Sequence, residues 1–135
     1  MKNTVAVIGG AGHIGLPLSC LISNKGIQTI IIDNNDESIE KIQNKITPFH
    51  EKGLNLELEK AINGGMKITN DISKISKCNF VIITLGTSSR ESDIENFNNL
   101  VREVVTLSSD ETMIILRSTL SAGTMENIVE EYTKN

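Results

Sequence analysis

Short apolar runs alternate with amphipathic stretches from one end of this chain to the other. Residues 5–8 are uniformly apolar and stop at glycine, as a strand buried on both faces does. Residues 13–24 then carry Ile14, Leu18, Leu21 and Ile22 at helical spacing, and Gly26 suits a left-handed helix end. Residues 27–32 form a β-branched second strand that runs into Asp33. Asn35 is placed to cap a helix, Asp36 and Glu37 suit its positive first turn, and Ile39, Ile42 and Ile46 give it an apolar face. After a proline-containing loop at residues 47–53, Leu54, Leu58, Ala61 and Ile62 predict a helix over 54–63 that ends at Gly64 and Gly65. Residues 66–69 read as a short third strand, Asp71 as the cap of one brief helical turn, and residues 80–85 as a fourth strand. Ser92 and Glu95 have the spacing of a capping box ahead of a helix bearing Phe97, Leu100, Val101 and Val104. Residues 113–116 are a fifth strand, and Met125, Ile128, Val129 and Tyr132 mark a last helix.

Strands separated by helices need right-handed crossovers, which build a parallel sheet covered on both faces. The expected architecture is therefore α/β, a doubly wound parallel sheet of five strands in the order 3-2-1-4-5, with a sixth strand absent. The 135 residues suit one domain, 1–135, and the missing strand suggests a fragment or truncated form of something larger. Aromatic residues make up 3% of the chain, which fits a sheet built on Val and Ile. The balance of 13 basic against 17 acidic residues, without a basic patch, gives no support to nucleic-acid binding. The longest apolar run, around residues 30–32, is too short for a bilayer, and no secretory signal opens the sequence. The expectation is a cytoplasmic chain in which Cys20 and Cys78 are reduced and buried. No pair of histidines or cysteines has metal-ligand spacing, so no metal is expected.

Gly10-Ala11-Gly12-His13-Ile14-Gly15 is a G-x-G-x-x-G run that follows a strand, opens a helix, and precedes an acid at the end of the next strand. In that context the pattern is the Rossmann fingerprint of a dinucleotide site. Gly10 permits the tight turn, Gly12 lets a pyrophosphate approach the backbone, and Gly15 lets helix and sheet pack closely. A helix N-terminus then offers amides and partial positive charge to phosphate. Asp33 lies 18 residues after Gly15, where a carboxylate accepts from a ribose 2′-hydroxyl and repels a 2′-phosphate. Asn34 and Asn35 supply no arginine for such a phosphate, so NAD is favoured over NADP. The loop after the fourth strand, with Leu85, Gly86 and Thr87, would line the same cleft, although it also suits an ordinary polar connection. Ser118 and Thr119, at the end of the fifth strand, point toward that crevice, where hydroxyls either touch the nicotinamide or an ordered water, or cap a helix. His13, in the first turn of the phosphate helix, is a candidate shield for the cofactor.

Taken together, these residues resemble the N-terminal domain of the UDP-glucose/GDP-mannose dehydrogenase family, which includes the UDP-N-acetylmannosamine dehydrogenases. The family pattern G-x-G-Y/F-[VI]-G-L-P is matched by Gly10, Gly12, Ile14, Gly15, Leu16 and Pro17, with His13 replacing the usual aromatic. Glu51, Gly53 and Leu54 match its E-x-G-L segment with Lys52 in place of proline. Gly86 and Thr87 match its G-T-P loop with Ser88 in place of proline, and residues 118–124 are similar to S-T-V-x-P-G-T with Ala122 for proline. The resemblance implies NAD-dependent, four-electron oxidation of a nucleotide sugar at C6, and gives Thr119 a role in positioning water. It also implies that the family's cysteine nucleophile, lysine and asparagine lie beyond the matched region, since its G-F-G-G-x-C motif is missing here. Such a chain is expected to bind NAD without turning over sugar, which it would meet only with the missing region. Family members pair through a central helix beyond these residues, so a homodimer, or self-association at a bare sheet edge, stays open. Two other readings stay open: a 3-hydroxyacid-type NAD dehydrogenase, and a stand-alone NAD(H)- or nucleotide-sensing regulatory domain.

Overall fold

A parallel five-stranded sheet in the order 3-2-1-4-5 forms the centre of the molecule. The computed structural model describes residues 3–86 and 90–133. The elements in chain order are β1 (Thr4–Ile8), α1 (Gly15–Asn24), β2 (Gln28–Ile32), α2 (Asp36–Gln43), α3 (Leu54–Asn63), β3 (Lys67–Thr69), β4 (Phe80–Ile83), α4 (Glu91–Leu107), β5 (Met113–Leu116) and α5 (Thr124–Thr133). A 3-10 helix, Ile72–Lys77, precedes β4. Register places Val7 beside Ile31 on one flank and Ile82 on the other, so the middle strand is walled by β-branched neighbours.

Side chains alternate between the faces of the sheet, and each face has its own core. On one face Ala6, Ile8, Ile32, Val81 and Ile83 pack against Phe97, Val101 and Val104 of α4 and Ile75 of the 3-10 helix. On the other, Ile31 packs with Leu16 and Cys20 of α1, Ile42 of α2, and Leu54, Leu58 and Ala61 of α3. Covering both faces leaves the carboxyl ends of β1, β2 and β4 as the open end of the molecule, where ligands of doubly wound sheets bind. The far side is less well covered. Met113 and Ile115 of β5 are exposed, as are Met125 and Val129 of α5, and α5 contains no buried residue.

Several local expectations are corrected. Helix α1 begins at Gly15, two residues later than its apolar spacing suggested, because residues 9–14 are consumed by the turn. Asn35 does cap α2, its Oδ1 accepting from Ser38 N at 3.0 Å. Ile46, expected on the core face of that helix, is exposed. The helix ends at Gln43, Lys45 takes a left-handed φ of 61°, and Ile46 N donates back to Lys41 O at 2.8 Å. That closure turns the chain outward before Ile46 can reach the core. Ser92 and Glu95 do not form the expected capping box, since α4 starts at Glu91 with Arg90 as its cap residue and no side-chain cap bond. Strand β4 stops at Ile83, two residues early, and the following residues form the loop of the site.

Candidate functional site

The chain leaves β1 through Gly9, whose φ of +76° only glycine adopts without strain. The positive φ therefore sits at Gly9, a residue outside the G-x-G-x-x-G pattern, and not at Gly10, which was expected to make the tight turn. Gly10 is required for a different reason. A Cβ there would lie 2.7 Å from Ile31 Cγ2 and 2.8 Å from Val7 O. Gly15 fulfils its expected role, since a Cβ there would overlap Gly9 O and lie 2.7 Å from Gly10 Cα. Gly12 is the exception. Apart from its chain neighbours, a Cβ there would meet only Gly9 O, at 3.3 Å. The fold demands glycine less here than at Gly10 or Gly15, since the one close contact needs a shift of only a few tenths of an ångström, and Gly12 lines the recess that contains Asp33.

Hydrogen bonds to both neighbouring strands hold the turn in place. Gly9 N donates to Ile32 O at 2.9 Å, tying it to β2. Thr84 Oγ1, at the end of β4, donates to Ile8 O at 2.9 Å and Gly9 O at 3.2 Å, tying it to the other side. Sequence reasoning put Thr84 at the start of the loop lining the cleft but gave it no part in holding the turn, because its partners are 75 and 76 residues away. Among the described residues no acceptor is paired with the amides of His13, Ile14 or Gly15, which gather at the start of α1 as a helix N-terminus leaves them.

Asp33 follows β2 and reaches across to this turn. Its Oδ2 accepts from Ala11 N at 3.0 Å, and its Oδ1 accepts from Asn35 N at 3.0 Å. A carboxylate has about four lone-pair sites, so half of its acceptor capacity is still uncommitted. The same carboxylate lies between two recesses. One, of about 240 Å³, has apolar walls from Ile32, Ile72, Leu85 and Leu100, with Asn70 and Glu103 as polar members. The other, of about 360 Å³, is lined by Ala11, Gly12, His13, Asn34, Asn35, Ser38, Pro48 and Phe49 besides Asp33. In its wall the imidazole of His13 stacks on Phe49, with ring centroids 4.0 Å apart and planes 26° apart. Sequence reading gave no hint of Asn70, Ile72, Leu100, Glu103 or Phe49, because each arrives through the tertiary fold. An apolar slot, a free ribose acceptor and an open amide turn fit the base, sugar and diphosphate of a dinucleotide.

The remaining candidate residues are less closely gathered. Leu85 lines the smaller recess, and Gly86 follows it in an exposed stretch where a Cβ would meet nothing. Thr87 lies outside the described residues. Ser118 Oγ donates to Leu85 O at 2.5 Å, so this hydroxyl fastens the end of β5 to the loop after β4. Thr119 is exposed next to it, and neither Ser118 nor Thr119 lines the two recesses beside Asp33. Both cysteines are buried. Burial, assisted by Glu57, pushes the Cys20 thiol up to about 11, and burial also raises that of Cys78. Among the described residues no helix is long and apolar enough to cross a membrane.

Comparison with known proteins identifies the family to which this fold belongs. The model of the UDP-glucose/GDP-mannose dehydrogenase family, NAD binding domain, matches residues 3–135. UDP-glucose 6-dehydrogenase of Rickettsia typhi is 30% identical over 125 residues, covering 89% of this chain and 29% of that enzyme. UDP-N-acetyl-D-mannosamine dehydrogenase of Methanocaldococcus jannaschii is 26% identical over 133 residues, covering 93% of this chain and 30% of that enzyme. Among solved structures, UDP-D-ManNAc dehydrogenase from Pyrococcus horikoshii shares the fold with a TM-score of 0.86 at 24% identity, over 95% of this chain and 31% of that one. The chain thus spans under a third of the length of the relatives it matches. It belongs to the UDP-glucose/GDP-mannose dehydrogenase family, as a Rossmann domain of the family's NAD-binding type, with NAD as its cofactor.

Proposed function

We propose that this chain holds NAD across the carboxyl ends of β1, β2 and β4, as the cofactor-binding part of a nucleotide-sugar 6-dehydrogenase that takes a UDP- or GDP-sugar alcohol to the uronate. The observation that carries the reading is Asp33 bonded to the amide of Ala11 at 3.0 Å, beside a Gly12 whose outer side is open. That bond ties a half-free carboxylate directly to the glycine-rich turn, so an acceptor for a ribose hydroxyl lies beside the amides offered to a diphosphate.

In this reading Gly10, Ala11, Gly12, His13, Ile14 and Gly15 surround the diphosphate. Asp33 accepts from the ribose 2′-hydroxyl and repels a 2′-phosphate. Leu85 walls the apolar slot beside Asp33, Gly86 and Thr87 are assigned to the cofactor cleft from the sequence, and Ser118 and Thr119 border the nicotinamide half. Bound NAD supplies the hydride acceptor. Thr119 positions a water near the reacting carbon, a role supported only by the family-like Ser118-Thr119 segment. Neither cysteine serves as the nucleophile of the acid-forming step, since burial keeps both thiols protonated. Residues 1–135 act as one cofactor-binding unit. Nucleotide-sugar contacts and pairing into a homodimer then depend on the remaining two thirds of a family-length enzyme, and the unit alone oxidises no sugar.

Isothermal titration with NAD, NADP and adenosine tests the reading. The expected result is one NAD per chain, with NADP roughly tenfold or more weaker, a difference of about 1.4 kcal/mol. Absence of NAD binding, or equal affinity for NADP, would refute it. NADH formation by the purified chain with any UDP- or GDP-sugar would refute the separation of binding from turnover.

A further inference from the structure

The loop between α2 and α3 is anchored at both ends of its approach to the site. Thr47 Oγ1 and Asn55 Oδ1 are 2.7 Å apart, and Leu54 N donates to Glu51 O at 3.2 Å. Between these anchors Phe49 is half-buried against the cluster of Leu16, Leu54 and Leu58, so its ring has a fixed seat on the core. On its other side it meets the imidazole of His13 at 4.0 Å. His13 is exposed, and among the described residues it makes no hydrogen bond or ion pair, so both ring nitrogens are uncommitted. An exposed histidine on a turn ordinarily samples several rotamers. Here one ring position is held by stacking, directly after Gly12 and in the wall of the recess that contains Asp33.

We propose that Phe49 is a positioning residue for the cofactor: it holds the His13 imidazole flat at the rim of the phosphate turn, where a ring N–H donates to the diphosphate. The inference rests on the NAD site proposed above and assigns that site a member from outside the glycine motif. Either neutral tautomer of histidine carries one N–H donor, and the imidazolium carries two, so the ring always has an N–H to offer a diphosphate. Without Phe49 the ring has to be ordered at the moment of binding, and that lost freedom weakens the complex. The contribution is of the size measured for one aromatic pair, which corresponds to roughly 3- to 10-fold in affinity.

The test is a double-mutant cycle read by calorimetry with NAD, ADP-ribose and adenosine as probes, circular dichroism confirming the fold of each variant. Phe49→Ala is expected to weaken NAD and ADP-ribose by about 3- to 10-fold and to leave adenosine unchanged, because adenosine has no diphosphate for the imidazole to reach. Phe49→Leu fills a similar volume without a ring and is expected to behave like Phe49→Ala, which keeps the test available if the alanine variant unfolds. Phe49→Tyr retains the stack and is expected to stay within about twofold of the original. In a His13→Ala background, Phe49→Ala is expected to add no further loss. Additive losses, or an equal loss for adenosine, would overturn the proposal while leaving the NAD site standing, because the first shows action independent of His13 and the second shows a displaced loop. Failure of the unsubstituted chain to bind NAD would instead overturn the underlying site and this proposal with it.

Discussion

Gly12 and Gly15 belong to one motif, yet replacing each by alanine has opposite expected consequences. A methyl group at Gly15 would overlap the Gly9 carbonyl oxygen and lie 2.7 Å from Gly10 Cα and 2.8 Å from Thr84 Oγ1. Carbon atoms pack best at about 3.5–4.0 Å, and the first two obstacles are backbone, which cannot rotate aside. Helix α1 has to lift away from the sheet, which puts Gly15→Ala at the upper end of the ~1–3 kcal/mol typical of overpacking. For a domain of this size that lowers the melting temperature by roughly 6–15 °C. At Gly12 the added methyl meets only Gly9 O at 3.3 Å, and the residue's φ is not left-handed. Gly12→Ala asks that oxygen to give by only a few tenths of an ångström and should cost about 1 kcal/mol or less, well under Gly15→Ala. Its effect appears on the ligand, because the methyl occupies the space through which a diphosphate approaches the amides. NAD affinity should fall about tenfold or more, or at least ~1.4 kcal/mol. Thermal unfolding followed by circular dichroism separates the variants on stability, and calorimetry separates them on binding. Equal melting temperatures, or full NAD affinity in Gly12→Ala, would refute the assignment of one glycine to packing and the other to the ligand.

Three further outcomes are expected. Asp33→Ala should weaken NAD and narrow its advantage over NADP, since one change removes the ribose acceptor and the repulsion of a 2′-phosphate; an unchanged NAD-to-NADP ratio in calorimetry counts against the role. Thr84→Val keeps the shape but removes the donor to Ile8 O and Gly9 O, and should lower stability by about 1–2 kcal/mol in urea titrations; a midpoint equal to the original would mean that the hydroxyl does not hold the turn. Because the Cys20 thiol is raised from 9.0 to about 11, the unfolded chain releases this proton first as pH rises. That contribution to stability is complete below pH 9 and is lost between 9 and 11, so Cys20→Ala should flatten the alkaline fall in urea midpoint, and an identical fall in both proteins would contradict the burial argument.

How much of this was legible in the sequence varied with the range of the interaction. Strand order followed from local facts, because β-branched runs separated by amphipathic helices leave few ways to wind a parallel sheet. The G-x-G-x-x-G spacing located the turn, and Asp33 was found by its distance from it. The division of labour among the glycines was not legible. Gly9, outside the motif, carries the positive φ, and the need for Gly10 comes from Ile31 on the neighbouring strand. Ile46 was misplaced because periodicity does not register a left-handed residue at Lys45. Ser92 lies within the first turn of α4, which begins one residue earlier at Glu91, so its spacing to Glu95 meets no cap position. Ile72, Leu100 and Phe49 reach the site from distant parts of the chain, as do the Ile8 and Gly9 partners of Thr84, and no local pattern marks such arrivals.

Helix α5 is held to the rest of the molecule by half-buried side chains such as Ile128 and Tyr132 and by an exposed ion pair between Glu131 and Arg102 of α4 at 2.8 Å, with no buried residue of its own. A segment seated so lightly opens at a free energy well below that of global unfolding. Amide exchange should therefore be fast along residues 124–133 and slow along β1 and β2, and a protease should trim the tail first. Such trimming would leave the latch between Asp33 and Ala11 intact, because that contact joins the turn after β1 to the residue after β2, beside the strands at the opposite end of the stability scale. Coenzyme capture and the tail's attachment are thus energetically separate, and either can be lost while the other persists.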